Sequence, residues 1–302
     1  MGWPRACLVS LFSGASTVAI ACGLDAVGSV APGGSGQDGS GQDGSGQDGS
    51  GQDGSGDGGV VDAQVSQPLE GGFAADAACN LAGPGQLIVS RVTAAPVVDG
   101  DLSDWSTCFT HLDSRTTGAH IRSFTDAGTF PSGDFALVHD GSSIYIAARV
   151  VGVLPLGDNG GPELYENDSI AIYIDANGSY SDLNNGYGPD ATQIVIDHAG
   201  RVQGFRVTTQ VATPNMNART SALADGRSYT VEVRIDPATF GAAAFGATIG
   251  FDIAWNDGVG DSQVSEISWF KKCGASTGCG CSNGDDAPYC NSRQFGSAQL
   301  LP

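Results

Sequence analysis

The chain has 302 residues, 33 of them acidic and 13 basic, which gives a formal net charge of −20 at pH 7. Residues 79–302 alone hold 24 of the acidic and 12 of the basic side chains. This balance excludes nucleic acid and anionic membrane surfaces as electrostatic partners, because both would repel the chain. It is compatible with neutral ligands and with bound calcium.

The N-terminus predicts export. Residues 1–21 carry one positive charge, Arg5, before a mostly apolar or small run that is too short and too interrupted to span a membrane. The stretch Ala19-Ile20-Ala21-Cys22 resembles a bacterial lipobox, so we predict a signal peptide over 1–21 and a lipid on Cys22. The chain would then be an outer-membrane or cell-surface lipoprotein whose only membrane contact is the lipid. The alternative is an ordinary signal peptide and a periplasmic or secreted protein.

A low-complexity segment follows, over residues 22–78. Its unit Gly-Ser-Gly-Gln-Asp repeats in register from Gly34 to Asp53. No side chain of this unit gains from burial, so nothing offsets the entropy cost of ordering it. We predict a flexible linker that spans roughly 40 Å root-mean-square as a glycine-rich coil, enough to hold a domain clear of a membrane.

Residues 79–302 show strand patterns and no sustained amphipathic helix. Runs rich in β-branched and aromatic residues are bounded by Gly, Asp, Asn or Pro. They are Leu87–Val92, Asp134–His139, Ser143–Val151, Ser169–Asp175, Gln193–Asp197, Arg201–Val207, Tyr229–Asp236, Ala247–Trp255 and Glu266–Phe270. Their spacing predicts one all-β domain, a two-sheet antiparallel, jelly-roll-like β-sandwich.

Six cysteines remain when the leader and Cys22 are set aside. An even number in an exported chain predicts three disulfides, with fifteen possible pairings. We expect Cys79 to pair with Cys108 and the other four to pair among themselves. A metal site beginning at Cys279 is the weaker alternative, because no histidine lies nearby. The six are Cys79, Cys108, Cys273, Cys279, Cys281 and Cys290.

Three ordered segments carry a family resemblance. They are Asp99–Trp105, then Tyr165–Asp175, then Ile249–Asp257 with Glu266–Trp269 shortly after it. In this order and spacing they resemble the family-nine carbohydrate-binding modules, over roughly the last 210 residues. The resemblance implies a sugar-binding β-sandwich without catalytic activity of its own. Its partner would be an oligosaccharide or polysaccharide, and its role would be to assist separate polysaccharide-degrading enzymes.

The resemblance also implies a site in which two aromatic rings hold the sugar. Tyr165 matches the first ring, and Tyr289, seven residues before Gly296, matches the second. Aromatic faces bind the C–H faces of pyranose rings through apolar contact. The alternative is that both tyrosines are ordinary loop residues. Polar ligand contacts are expected from Asp286, Glu166 and Gln193.

Two positions depart from the family pattern. Ala171 stands where the family typically has a glutamate, and Val195 stands where it often has an arginine. Such groups orient sugar hydroxyls. Their absence leaves the identity of the ligand open.

An oxygen-rich loop is suited to a structural calcium ion, which the family is known to hold. The candidate ligands are Asp175, Asn177, Asp182 and Asp190. Residues that simply form turns explain the same pattern equally well.

Two other functions stay open. A related sandwich binds haem through a methionine and a second ligand, and Met216 with one of four histidines could supply them. A glycoside hydrolase could use two carboxylates from Glu163, Glu166 and Asp168. We expect neither haem nor catalysis.

Overall fold

The computed structural model describes residues 81–124, 129–157, 163–180, 187–206, 209–259, 262–270, 288 and 292–302. The predicted signal peptide, the lipidation site Cys22 and the linker lie outside these ranges and stay predictions. Of the six domain cysteines only Cys108 is among the described residues, so the disulfide pairings stay predictions as well. None of the helical segments in the described ranges is long and apolar enough to cross a membrane.

Strands dominate the described part of the chain, and helical structure there is limited to short 3₁₀ turns. The strands are β1 (Leu81–Gly83), β2 (Gln86–Arg91), β3 (Thr110–Leu112), β4 (His120–Ser123), β5 (Ser132–His139), β6 (Ile144–Val151), β7 (Ser169–Asp175), β8 (Ala191–Asp197), β9 (Val202–Arg206), β10 (Thr209–Val211), β11 (Met216–Ala222), β12 (Ser228–Ile235), β13 (Thr248–Val259), β14 (Ser262–Ser268) and β15 (Gly296–Leu300). The turns are Leu102–Asp104, Leu164–Glu166, Pro237–Phe240 and Ser292–Gln294. The predicted all-β fold is confirmed.

The strands form two sheets that share β2. Sheet A has the order β10-β9-β8-β7-β13-β15-β2, with β14 on β13, β4 on β14 and β1 on β2. Sheet B has the order β2-β5-β6-β12-β11, with β3 on β5. The first part of β2 pairs with β15 and its last two residues pair with β5, both in parallel. The sandwich prediction is confirmed, but these two pairings depart from a purely antiparallel arrangement because β2 passes from one sheet to the other.

The inner faces of the two sheets form the main core. In β7 every second side chain points to sheet B, and Ile170, Ile172 and Ile174 are fully buried there. Trp255 of β13 reaches Phe135 of β5, with ring centroids 6.2 Å apart and planes at 72°. Since β7 is buried along its whole length, its other face is covered too. That outer face of sheet A carries the site described below.

A buried glutamate holds the Asp99–Trp105 segment on the outer face of sheet B. Glu232 of β12 is fully buried. Its carboxylate accepts the backbone N–H groups of Asp99 at 3.0 Å and Gly100 at 2.6 Å, and the indole N–H of Trp105 at 2.5 Å. Gly100 has a φ of 94°, a left-handed conformation that favours glycine. Burial raises the pKa of Glu232, and the three donors oppose that rise.

A carboxyl pair lies at one end of the sandwich interior. Asp168 precedes β7 and accepts the backbone N–H of Gly157 at 2.7 Å and, at 3.4 Å, that of Gly258. Its carboxyl group also hydrogen-bonds the carboxyl group of Asp257 on β13. Burial, and then the charge of Asp168, raise the pKa of Asp257 to about 7. The two groups therefore share a proton at neutral and mildly acidic pH.

We expect Glu232→Ala to lower the free energy of unfolding by about 3 kcal/mol, because it leaves three donors, two buried and one partly buried, without an acceptor at about 1 kcal/mol or more each. Trp105→Phe removes only one of these donors and should cost clearly less. Urea denaturation of both variants measures the difference. Equal destabilisation by the two variants would show that the carboxylate does not hold the segment.

The Asp168–Asp257 pair should make stability fall as the pH rises. The unfolded chain releases the Asp257 proton near pH 4, whereas the folded chain keeps it to about pH 7. The free energy of unfolding should therefore decrease between pH 4 and pH 7 and level off above. Asp257→Asn keeps an uncharged hydrogen-bonding group, so it should flatten this decrease and stabilise the protein at pH 8.

Denaturant unfolding at pH 5, 6, 7 and 8 tests this expectation. Asp225→Asn is the control, because that carboxylate accepts the backbone N–H groups of Arg227 and Ser228 in its own turn, and these hydrogen bonds lower its pKa where that of Asp257 is raised. A wild-type protein whose stability does not fall with rising pH, or an Asp225→Asn variant that flattens the profile equally, would contradict the shared proton.

Candidate functional site

A groove runs over the outer face of sheet A. Its volume is about 310 Å³, at the lower end of the range for small-molecule sites. Most of the lining side chains lie on six neighbouring strands, β9, β8, β7, β13, β14 and β4. The others lie in the Leu164–Glu166 turn, just before it, or just after β4. Together the lining residues are Arg122, Phe124, Glu163, Tyr165, Tyr173, Gln193, Phe205, Asn256, Gln263 and Glu266.

One end of the groove is aromatic. Phe205, Gln193 and Tyr173 lie opposite one another on β9, β8 and β7. Tyr165 packs its ring edge-to-face on Phe205, with centroids 6.1 Å apart. The amide of Gln193 donates to the hydroxyl oxygen of Tyr173 at 3.3 Å. Burial, and then the charge of Glu266, raise the pKa of Tyr173 well above its usual value, so its hydroxyl stays protonated.

A polar row crosses the middle of the groove. Glu266 of β14 accepts hydrogen bonds from Nη1 of Arg122 at 3.0 Å and from the Gln263 amide at 3.4 Å. Gln263 also donates to the Asn256 side-chain oxygen at 2.8 Å, and Asn256 donates to Ser169 Oγ at 3.0 Å. These side chains support one another across four strands. They are therefore fixed in place before any ligand arrives.

Small residues let the Leu164–Glu166 turn pack directly on sheet A. Val195, Ala171 and Ala254 are paired in register on β8, β7 and β13, and all three are fully buried. Leu164 belongs to the same buried cluster. Its backbone N–H donates to the Gln203 side-chain oxygen at 3.0 Å. Ala171 and Val195, the two residues that depart from the family pattern, therefore lie beneath this turn.

The described residues bring together part of the predicted ligand set. Tyr165 and Gln193 line the groove, whereas Glu166 lies in the same turn without lining it. Tyr289 and Asp286 lie outside the described residues, so the predicted pair of facing tyrosines stays a prediction.

The residue before Tyr289 lies against the same outer face. The carbonyl of Pro288 accepts the Tyr187 hydroxyl at 2.9 Å. Tyr187 in turn packs on Phe295, with centroids 5.6 Å apart, and Phe295 packs on Tyr173. The chain just before Tyr289 is therefore attached to the cluster that surrounds the groove.

Sequence reasoning missed Arg122, Phe124 and Gln263. Arg122 lies in β4, and Phe124 follows this strand directly. The strand has only four residues and shows no apolar alternation. Gln263 precedes the predicted part of β14. Glu266 and Asn256 lie in the segments that carry the family resemblance. They are paired in register on β14 and β13, so a prediction of this strand pairing would have placed both side chains on one face of the sheet.

Calcium stays a prediction. Asp175 is buried, and its carboxylate accepts the backbone N–H groups of Asn177 at 3.4 Å and Tyr180 at 2.7 Å. Burial raises the pKa of Asp175, and the nearby charge of Asp190 contributes, so a cation between them would relieve a repulsion. Asp182 lies outside the described residues. In the described part of the chain no group of three or more His, Cys, Asp or Glu side chains is arranged to hold a metal ion.

The residues of the two alternative functions lie in different places. Met216 begins β11 at the edge of sheet B and packs against the main core, on the other sheet from the groove. Glu163 lines the groove, but Asp168 is turned to the sandwich interior, where it pairs with Asp257. Glu163 and Asp168 therefore do not form one pair of carboxylates in the groove.

One family model matches the chain, and several solved structures are similar to it. A family model described as "Carbohydrate family 9 binding domain-like" matches residues 98–301. One similar solved structure is a family 9 carbohydrate-binding module from Caldicellulosiruptor kristjanssonii in complex with glucose; it is 20% identical, covers 72% of this chain and 95% of its own, and has a TM-score of 0.48. The same organism's module in complex with cellotriose is 21% identical, covers 71% of this chain and 93% of its own, and has a TM-score of 0.49.

A third solved structure is a putative carbohydrate-binding protein from Bacteroides uniformis. It is 16% identical, covers 72% of this chain and 99% of its own, and has a TM-score of 0.47. No curated protein sequence matches the chain. Because the family model covers well over half of the chain, the resemblance expected from the three ordered segments is confirmed. The chain belongs to the carbohydrate family 9 binding domain-like family.

Proposed function

We propose that this protein binds carbohydrate in the groove on sheet A and catalyses no reaction there. One observation supports this most strongly: the groove combines exposed or half-buried aromatic rings with a fixed row of hydrogen-bonding side chains. Sugars present C–H faces and hydroxyl groups on the same ring, so they need both kinds of contact. Family membership and the sugar complexes of the two Caldicellulosiruptor modules support the same proposal.

Charge favours a neutral sugar. The only cationic side chain that lines the groove, among the described residues, is Arg122, and it is already paired with Glu266. Glu163 adds a second carboxylate to the lining. An anionic sugar would therefore meet uncompensated negative charge, which is repulsive. We infer a neutral oligosaccharide or polysaccharide as the partner.

The proposed setting rests on the sequence alone. A lipid on Cys22 and the flexible segment 22–78 would hold the domain at the outer membrane or cell surface, and three disulfides would suit that exported location. Held there, the groove would keep a glycan near separate polysaccharide-degrading enzymes.

Tyr165→Ala should weaken sugar binding about fivefold or more, because one aromatic contact contributes roughly 1 kcal/mol beyond its buried area. A glycan array first identifies the ligand, and calorimetric titration then compares the affinities. Phe109→Ala, a half-buried aromatic residue on the outer face of sheet B, is the matched control.

A protein that binds no glycan on the array, or equal losses in the two variants, would contradict the proposed site. Hydrolysis of reporter glycosides that is lost in Glu163→Gln would instead assign the groove to a glycoside hydrolase.

Calcium should raise the melting temperature if Asp175 and Asp190 hold a cation, because a ligand bound only by the folded state stabilises it. Asp175→Asn should abolish the increase. Thermal unfolding in chelator and in millimolar calcium measures it. An equal melting temperature in the two conditions would show that these residues only form the turn.

A further inference from the structure

We propose that the carboxyl pair Asp168–Asp257 positions the turn that carries Tyr165, so that ligand binding in the groove weakens when the pair loses its shared proton. This inference rests on the proposed function and adds a regulation by pH to it. Neither member of the pair lines the groove, so both are positioning residues and not ligand contacts.

The first support is a hydrogen bond that closes the chain between Gly157 and Asp168. The carboxylate of Asp168 accepts the backbone N–H of Gly157 at 2.7 Å, across a separation of eleven residues. Glu163 and Tyr165, which both line the groove, lie between the two joined positions. The carboxylate therefore restrains the segment from which these two side chains reach the groove.

The second support is the contact between the turn and β13. Gly258 follows Asp257 directly, and its backbone N–H donates to Asp168 at 3.4 Å. A Cβ atom on this glycine would overlap the carbonyl oxygen of Glu166 and lie 2.8 Å from Cα of Asn167. The turn backbone therefore rests directly on the residue that the pair holds. A displacement of one carboxyl group from the other displaces the turn.

The third support is the register of β7 and β13. Ser169 of β7 is paired with Asn256 of β13, and the Asn256 amide donates to Ser169 Oγ at 3.0 Å. Asp168 and Asp257 adjoin these two residues along the chain. Because Asn256 belongs to the polar row of the groove, a change in the separation of the pair acts on that row as well as on the turn.

Charge repulsion supplies the displacement. With the proton, the two carboxyl groups share a hydrogen bond, whereas without it they are two neighbouring negative charges that repel each other. Asp197 is paired with Arg201 at 2.6 Å, and the raised pKa of Tyr229 keeps its hydroxyl neutral, so neither side chain offsets the second charge. The ionisable groups on the elements packed against the pair are Tyr229 of β12, Asp197, His198 and Arg201 of the β8–β9 connection, and Glu163, Tyr165 and Glu166 of the turn.

Ligand affinity should therefore fall as the pH rises through about 7, where the folded chain loses the shared proton, since the pKa of Asp257 is raised to about 7. A ligand that requires the positioned turn favours the protonated pair, so by linkage its binding near pH 7 takes up protons. We expect the affinity to be about fivefold or more higher at pH 5.5 than at pH 8.5, the lower end of the coupling between linked sites.

Calorimetric titration of the full-length protein measures this profile. Cellotriose, and the neutral glycan that binds best on an array, are titrated at pH 5.5, 7 and 8.5. Each titration is repeated in two buffers with different enthalpies of ionisation, because the difference in heat reports the number of protons taken up.

Asp257→Asn is the decisive variant. Its amide still donates to Asp168 but has no proton to lose, so the affinity should keep its pH 5.5 value at every pH and the proton uptake should disappear. Asp257→Ala removes the hydrogen bond and should bind weakly throughout. His198→Gln is the matched control, because it removes the imidazole beside the pair and should keep the wild-type profile. Thermal unfolding confirms that each variant is folded.

Hydrogen exchange tests the positioning without any sugar. The backbone N–H groups of Glu166 and Asn167 donate to carbonyls within the turn. Their protection factors should fall between pH 5.5 and pH 8.5 in the wild-type protein and stay constant in Asp257→Asn.

The outcomes separate the two proposals. Sugar binding that does not change with pH, or a pH profile that Asp257→Asn retains, overturns the positioning role and keeps the proposed function. Constant protection of the turn in the wild-type protein overturns the positioning role as well. Absence of binding at every pH, to cellotriose and on the array, overturns the proposed function and with it the control of affinity.

Discussion

Strand β13 is the element on which both the core and the groove depend. It pairs with β7 on one side and with β15 and β14 on the other. Phe251 and Trp255 point into the main core, while Ala254 and Asn256 point to the outer face. A shift of register by one residue would exchange these two sets. The apolar core therefore fixes the register, and the register in turn fixes which polar side chains meet in the groove.

The two departures from the family pattern lie where the Leu164–Glu166 turn packs on sheet A. Ala171 and Val195 are fully buried beneath Leu164, so a glutamate and an arginine there would have to displace the turn that carries Tyr165. A charged pair is instead supplied by Glu266 and Arg122 on the two strands beyond β13. Restoring the family residues, through Ala171→Glu and Val195→Arg, would consequently cost stability.

Sequence patterns predicted the long buried strands, because runs of β-branched residues such as Ser169–Asp175 are enriched in β-strands. They missed β11, an edge strand with polar residues, and β4, which has only four residues. Tyr165 and Gln193, which line the groove, were predicted through the family resemblance. Arg122 could not be found in this way, because its partner Glu266 lies 144 residues away, and only the packing of β4 on β14 brings them together.

The polar row would also set the strength of the proposed sugar binding. Its side chains already satisfy one another, so a ligand hydroxyl adds to these hydrogen bonds without filling an empty position, and most of the net gain must come from the aromatic rings. If the groove binds sugar as proposed, we expect modest affinity and broad selectivity for neutral sugars. The flexible, lipid-anchored linker that the sequence predicts over residues 22–78 would compensate for modest affinity, because several anchored copies that bind one polysaccharide would raise the overall avidity by a factor of about 10² or more. Weak individual contacts and a long tether would therefore be compatible parts of the surface-capture function proposed above.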